Sequence, residues 1–158
     1  MSAQKSVADN ELLIIRTFDA PVSVVFAVWS SAEHMKRWMG PKNFTCPHLT
    51  MDFRVGGVFR AMIKSNENGE NWFGGVYREI VQDKRLVFTF VWDNEGPSTG
   101  IETLVTITFE ERAGKTVQTF HQAPFISVDR RDRHISGWSG AFDKQAAYAE
   151  KIAKELAA

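Results

Sequence analysis

The stretch "HISGWSGAFDKQAAYAEKIAKEL", residues 134–156, decides the fold of this chain. Its apolar residues recur at spacings of three and four, which is typical of one face of a long amphipathic helix. They are Ile135, Trp138, Phe142, Ala146, Ala149, Ile152, Ala153 and Leu156. Lysines and glutamates occupy the opposite face, so that face is expected to meet solvent. The helix is expected to start at Asp129 or Asp132 and to run for about seven turns.

Two glycines interrupt the start of this helix, Gly137 and Gly140. Each costs about 1 kcal/mol relative to alanine in a helix interior. We interpret them as geometric requirements. A residue without a Cβ either lets the helix backbone approach the neighbouring strands closely or leaves volume beside Trp138 for a bound molecule.

Short β-rich segments separated by turn residues precede the helix. One strand is predicted at 11–18, and six more are predicted at 49–54, 57–65, 71–81, 85–93, 102–111 and 116–125. The connectors among the six are short and rich in Gly, Asn and Asp, which favours an antiparallel meander. Gly74-Gly75 interrupts one strand and is expected to mark a bulge or a bend.

Two short helices are predicted between the first and second strands. Pro21 suits the first turn of a helix through "VSVVFAVW", residues 22–29. The next helix, 31–39, has Ser31 as its N-cap and is stopped by Gly40-Pro41. Helices segregated from an antiparallel sheet define an α+β fold. A sheet of about seven strands curls, and a long helix laid across its concave face leaves a cavity wherever the two do not meet.

Composition limits the classes of function. The chain has 158 residues, and we expect a single domain over 11–158 after a flexible N-terminal tail, 1–10. Nineteen basic residues balance nineteen acidic ones, which gives no electrostatic reason to expect nucleic acid as a partner. No signal-peptide segment and no apolar run near the ~20 residues of a membrane span is visible, so no membrane partner is expected. Cys46 is the only cysteine, which favours a reducing compartment, the cytoplasm.

Four segments together resemble the AHSA-type family, which is named for homology to an activator of the heat-shock protein 90 ATPase. They are "RTFDAPVSVVFAVWSSAEHMKRWMGP" (16–41), "MDFRVGGVFRAM" (51–62), "GGVYREIVQDKRLVFTFVW" (74–92) and "RHISGWSGAFDK" (133–144). The resemblance covers about residues 11 to 156. This family belongs to the SRPBCC superfamily, which also contains START lipid-transfer domains and birch-pollen-allergen (Bet v type) proteins.

The resemblance implies the helix-grip fold, in which a curved sheet holds a long C-terminal helix over an apolar cavity. It implies little about chemistry, because members include ligand carriers, cyclases, hydroxylase subunits and co-chaperone domains. The sequence departs from the family where Gln118 and Gln122 lie two positions either side of Phe120, at places where aliphatic residues are more usual. If that strand face points inward, the cavity is partly polar.

No motif for catalysis, metal or cofactor binding stands out. His34, His48, His121 and His134 lack the spacing of a zinc site, and Cys46 lies in no nucleophile motif. Gly56-Gly57 is followed by a strand, which favours a hairpin turn over a phosphate loop. Asp52 and Arg54 are interpreted as an ion pair bracing that turn, with a role at the cavity mouth as the alternative. "DRRDRH", residues 129–134, is interpreted as a solvated helix start.

Aromatic side chains form the candidate ligand-binding site, because the fold brings rings from separate elements around one interior. Each ring alone is explained by core packing, but with two polar side chains the set resembles a small-molecule pocket. The candidates are Trp38, Phe59, Phe73, Tyr77, Phe88, Phe90, Trp92, Gln122, His134, Trp138 and Phe142. His134 precedes Trp138 by one helical turn, and a surface or capping role for it is the alternative.

Three functions remain open at this stage. The first is a protein that binds a small hydrophobic or aromatic molecule without covalent chemistry. The second is a cyclase-like or aromatase-like enzyme with His134 or Glu79 as acid or base. The third is a stress-associated, co-chaperone-like module that contacts a chaperone through its surface. A monomer and a homodimer are both compatible with the sequence.

Overall fold

The computed structural model describes residues 8–93 and 101–157. In chain order the elements are β1 (Leu12–Phe18), α1 (Val22–Ala27), α2 (Ala32–Met35), β2 (Thr45–Met51), β3 (Val58–Ser65), β4 (Gly69–Val81), β5 (Arg85–Trp92), β6 (Thr103–Arg112), β7 (Lys115–Ala123) and α3 (Val128–Ala157). Residues 1–7 of the predicted tail and most of the connector after β5 lie outside the described residues. The described end of the tail is held, because Asn10 accepts a backbone hydrogen bond from Phe125 at 2.8 Å.

The strands form one antiparallel sheet in the order β1-β7-β6-β5-β4-β3-β2. The α+β helix-grip fold predicted from the sequence is therefore confirmed. Alternation along β6 sends Val105, Ile107 and Phe109 inward, and these side chains are buried. On α3, Trp138 and Phe142 are buried on the face that meets the sheet. No helix in the described ranges has the length and hydropathy that crossing a membrane requires.

The long helix begins slightly earlier than either predicted start. α3 starts at Val128, and the Ser127 hydroxyl accepts a hydrogen bond from the backbone N–H of Arg130 at 3.1 Å. A serine that bonds the third helical N–H acts as an N-cap. Asp129 therefore lies in the first turn, where its charge suits the helix dipole.

Two other predicted boundaries were wrong. The strand predicted at 49–54 is β2, 45–51, and it contains Pro47; because β2 is an edge strand, a residue without an N–H is tolerated there. The helix predicted at 31–39 ends at Met35. Ser31 is its N-cap as predicted, with its hydroxyl accepting from the His34 N–H at 3.4 Å. Turns follow α2, so the helix ends well before Gly40, whose φ is +103°.

The Gly74-Gly75 pair allows β4 to approach its neighbouring strands closely. An added Cβ at Gly75 would lie 1.8 Å from the carbonyl oxygen of Thr89 on β5, so no larger residue fits. The register of β4 against β5 shifts between Tyr77 and Glu79, which is two residues beyond the glycine pair. The expected bulge is present in this strand but lies at a different position.

Candidate ligand-binding site

A cavity of about 190 Å³ lies between the first half of α3, strands β3 to β5 and the segment that follows α2. Its lining comprises Met39, Gly40, Pro41, Ile63, Phe73, Phe90, Trp92, Arg130, Arg133, His134, Gly137, Trp138 and Ala141. Strands supply its aromatic floor, and α3 supplies one wall. The core continues beyond this floor, so the cavity is an opening at one end of the helix–sheet interface.

Aromatic rings form the floor of the cavity and part of its helix wall. Phe73 and Phe90 stack with their centroids 4.9 Å apart and their planes at 23°, and Trp138 meets Phe90 edge-on at 5.8 Å. Each of these three residues is at most 6% exposed. Offset and edge-on ring pairs are favourable arrangements, so the floor is a rigid apolar surface.

A hydrogen bond joins β5 to α3 at the edge of the cavity. The indole N–H of Trp92 donates to Nε2 of His134 at 2.9 Å, and Nδ1 of His134 lies 2.9 Å from the carbonyl oxygen of Arg130. An indole nitrogen only donates and a carbonyl only accepts. His134 is therefore the neutral tautomer with its proton on Nδ1, and its Nε2 lone pair is engaged by Trp92.

The segment 39–44 closes a further side of the cavity and is attached to α3. Lys144 donates from Nζ to the carbonyls of Pro41 at 3.1 Å and Phe44 at 3.0 Å. Burial lowers the pKa of Lys144. At Gly140 an added Cβ would lie 2.9 Å from the backbone nitrogen of Lys42, whereas at Gly137 it would meet only Pro41 Cγ, at 3.4 Å. We expected the glycines to let the helix backbone approach the strands closely. At Gly140 the helix backbone instead approaches this loop.

Two arginines of α3 contribute to the lining. Arg130 is partly buried and also lines a smaller opening of about 20 Å³ on the other side of His134. Arg133 forms an i,i+4 ion pair with Asp129 at 3.1 Å, and both side chains are more than 70% exposed. The charge of Arg133 therefore lies toward solvent, away from the buried floor.

Comparison with known families identifies the chain. The model of the family described as "Activator of Hsp90 ATPase homolog 1-like protein" matches residues 19–150. The chain belongs to this AHSA1 family. A search of the curated proteins finds no match.

Solved structures similar to this AHSA1-family chain share its fold. A protein from Chromobacterium violaceum is 24% identical with a TM-score of 0.80, and 90% of this chain matches 99% of that one. The AHSA1 protein from Silicibacter pomeroyi is 21% identical with a TM-score of 0.77, over 92% of this chain and 99% of that one. An AHSA1-like protein from Aeromonas hydrophila is 18% identical with a TM-score of 0.71, over 90% and 93% respectively. At these identities the likeness concerns the fold alone.

The structure divides the predicted ligand-binding residues of the AHSA1-family chain into two groups. Those that line the cavity are Phe73, Phe90, Trp92, His134 and Trp138. Those that lie outside the lining are Trp38, Phe59, Tyr77, Phe88, Gln122 and Phe142, and each is at most 2% exposed. The second group packs in the continuous core. The aromatic residues selected from the sequence therefore include both pocket residues and core residues.

The two glutamines of β7 point inward but serve the core. Gln118 accepts from the Trp29 indole at 2.9 Å and donates to Gln145 at 3.2 Å. Gln122 accepts from the Trp138 indole at 2.8 Å and donates to the Thr103 hydroxyl at 2.8 Å. Because these amide groups are engaged by buried partners, the polar face expected from the sequence satisfies indole N–H groups and does not line the cavity.

Sequence analysis named Gly137 as a source of open volume beside Trp138, but it missed Ala141 and the two arginines of the lining. The α3 residues that line the cavity are Arg130, Arg133, His134, Gly137, Trp138 and Ala141, which follow helical spacings of three and four. Extending that stripe back from Trp138 would have placed both arginines on the cavity face. The interpretation of 129–134 considered only its mixed charge, so it overlooked that both arginines share the cavity face of α3.

The remaining candidates lie away from the cavity lining. Arg54 pairs with Asp52 at 2.8 Å in an exposed turn after β2, which confirms the ion pair. Glu79 pairs with Arg85 at 3.0 Å. Burial raises the pKa of Cys46 to about 11, so its thiol is protonated at neutral pH. Within residues 8–93 and 101–157, no cluster of three His, Cys, Asp or Glu residues is arranged to hold a metal.

Proposed function

We propose that this AHSA1-family chain binds a small aromatic molecule of one or two rings between the start of α3 and strands β3 to β5. The observation that carries the proposal is a cavity of about 190 Å³ whose floor is made of buried rings. Apolar cavities with a few polar groups at their edge are typical of small-molecule sites. Stacking and edge-on contacts with Phe73, Phe90 and Trp138 would favour a flat ligand.

The volume sets the size of the ligand. An engineered apolar cavity of about 150 Å³ accepts benzene, whereas pockets for drug-sized ligands begin near 300 Å³. A cavity of about 190 Å³ lies between these values. One ring, or two fused rings, is therefore the size class that the cavity favours, and a long acyl chain is too large to be enclosed.

The two alternative functions receive less support. Acid–base catalysis needs an available lone pair or proton, but Nε2 of His134 already accepts from Trp92, and Glu79 is held by Arg85 outside the cavity lining. The family description names an activator of the Hsp90 ATPase. A chaperone contact would depend on the surface of the chain, and the cavity gives no reason for one.

The experiment is a calorimetric titration with naphthalene-2-acetamide and indole as neutral probes and stearamide as a size control. Both aromatic probes should bind, and stearamide should bind more weakly than either. The Gly137→Leu variant should lose binding, because an added side chain at Gly137 extends into the cavity lining with only Pro41 nearby. Ser136→Leu, at the exposed neighbouring position, is the matched control and should bind normally.

Two results would contradict the proposal. The first is that neither aromatic probe binds to the wild-type protein. The second is that Gly137→Leu, shown to be folded by its circular dichroism spectrum, binds the probes as tightly as Ser136→Leu does.

A further inference from the structure

Among the described residues, the charged side chains that line the cavity are two arginines, Arg130 and Arg133, and no carboxylate contributes to the lining. Both arginines come from the first two turns of α3, whereas Ile63, Phe73 and Phe90 form the apolar floor from the strands. A ligand bound here would have its apolar part against the strands and its polar part beside positive charge.

The histidine of the lining already has a hydrogen-bond partner at each ring nitrogen. His134 accepts from Trp92 through Nε2 and donates to the Arg130 carbonyl through Nδ1. A guanidinium group has five N–H donors in a planar fork that matches a carboxylate. Arg133 contacts Asp129 through Nη2 at 3.1 Å, so its other guanidinium nitrogens can donate to a second acceptor.

We infer that the cavity selects an aromatic acid, with the ring on the Phe73 and Phe90 floor and a carboxylate at the mouth beside Arg133. This inference rests on the proposed function and specifies the chemical class of the ligand. An aromatic amine would place a further positive charge beside the Arg133 guanidinium. A neutral amide would gain the ring contacts without the ionic contact.

Asp129 competes with the ligand for Arg133. The Asp129–Arg133 pair is largely exposed, with side chains 74% and 73% accessible, and such pairs contribute little to stability. A ligand carboxylate can therefore replace Asp129 at low cost. Removing the Asp129 charge should strengthen the binding of an acid and leave the binding of a neutral probe unchanged.

The test compares naphthalene-2-acetate, naphthalene-2-acetamide and 2-(2-naphthyl)ethylamine by calorimetric titration of the wild-type protein at neutral pH. The acetate should bind about two to five times more tightly than the acetamide, and the amine should bind most weakly. Added salt should reduce the preference for the acetate, because the contact lies at the solvent-facing mouth.

Charge variants test the same inference independently. Arg133→Gln should weaken the acetate and leave the acetamide unchanged, and Asp129→Asn should tighten the acetate. Arg131→Gln is the matched control, because Arg131 pairs with Asp132 and lies outside the cavity lining. If the acetate and the acetamide bind equally tightly to the wild-type protein, the inference is overturned and the proposed function stands. If none of the three probes binds, both fail.

Discussion

The two halves of the interior beneath α3 contain the same kinds of side chain but are packed differently. Around Trp29 the space is filled: this ring is fully buried and meets Trp38 at 4.7 Å and Phe142 at 6.2 Å. Around Trp92 a cavity of about 190 Å³ remains. Trp29 follows α1 and Trp38 follows α2, so the short helices fill the first half, whereas a loop at 39–41 covers the second. The element that covers each half therefore decides whether that half is closely packed or contains a cavity.

The largest expected effect comes from truncating one tryptophan in each half. Trp29→Ala removes a fully buried ring and should lower the free energy of unfolding by about 3–5 kcal/mol. Trp92→Ala removes a half-buried ring at the cavity and should cost less than half as much, because water can reach the space that it leaves. Urea denaturation of both variants measures the difference. Equal losses would show that the Trp92 half is as closely packed as the Trp29 half.

Much of the fold could be predicted from the sequence. The helical stripe of α3, the inward alternation of β6 and the turn residues between strands are local patterns, and each predicted an element that the structure contains. Boundaries that depend on tertiary context were less predictable. The start of β2 is set by pairing with β3, as Thr45 opposite Lys64 shows, and no local pattern encodes that pairing.

The candidate site was only partly predictable for the same reason. Phe90 and Phe88 are two residues apart on β5 and share a face, yet only Phe90 lines the cavity. What separates them is the position of Trp29, which lies 6.1 Å from the Phe88 ring. Alternation identifies the inward face, but it does not identify which inward residues are covered by another element.

A smaller effect is expected from the two glutamines that bond the indoles. Gln118→Met leaves the buried N–H of Trp29 without its acceptor, and Gln122→Met does the same to Trp138. A buried donor without a partner costs about 1–3 kcal/mol. Because Trp138 borders the cavity, its ring can move or water can reach it, and Gln122→Met should cost less than Gln118→Met. Denaturation curves that rank the two variants in the opposite order would contradict this account.

The smallest effect separates the two glycines of α3. Alanine at either position gains about 1 kcal/mol of helix propensity, so this gain cancels in a comparison of the two variants. At Gly140 the new Cβ would lie 2.9 Å from the backbone nitrogen of Lys42, and the segment that Lys144 holds would have to move. At Gly137 the nearest atom is Pro41 Cγ at 3.4 Å, an ordinary contact.

We therefore expect Gly137→Ala to be more stable than wild type and Gly140→Ala to be less stable than Gly137→Ala, by on the order of 1 kcal/mol. Thermal unfolding measures this difference, and the titration with naphthalene-2-acetamide adds a second readout. Gly137→Ala should bind the probe more weakly, because its methyl group occupies part of the cavity lining, although the protein is more stable. A Gly137→Ala protein with both higher stability and unchanged affinity would mean that the ligand lies elsewhere than beside Gly137. The cavity around Trp92 would then be explained by the loop at 39–41 alone, and the absence of a side chain at Gly137 would not be needed for binding.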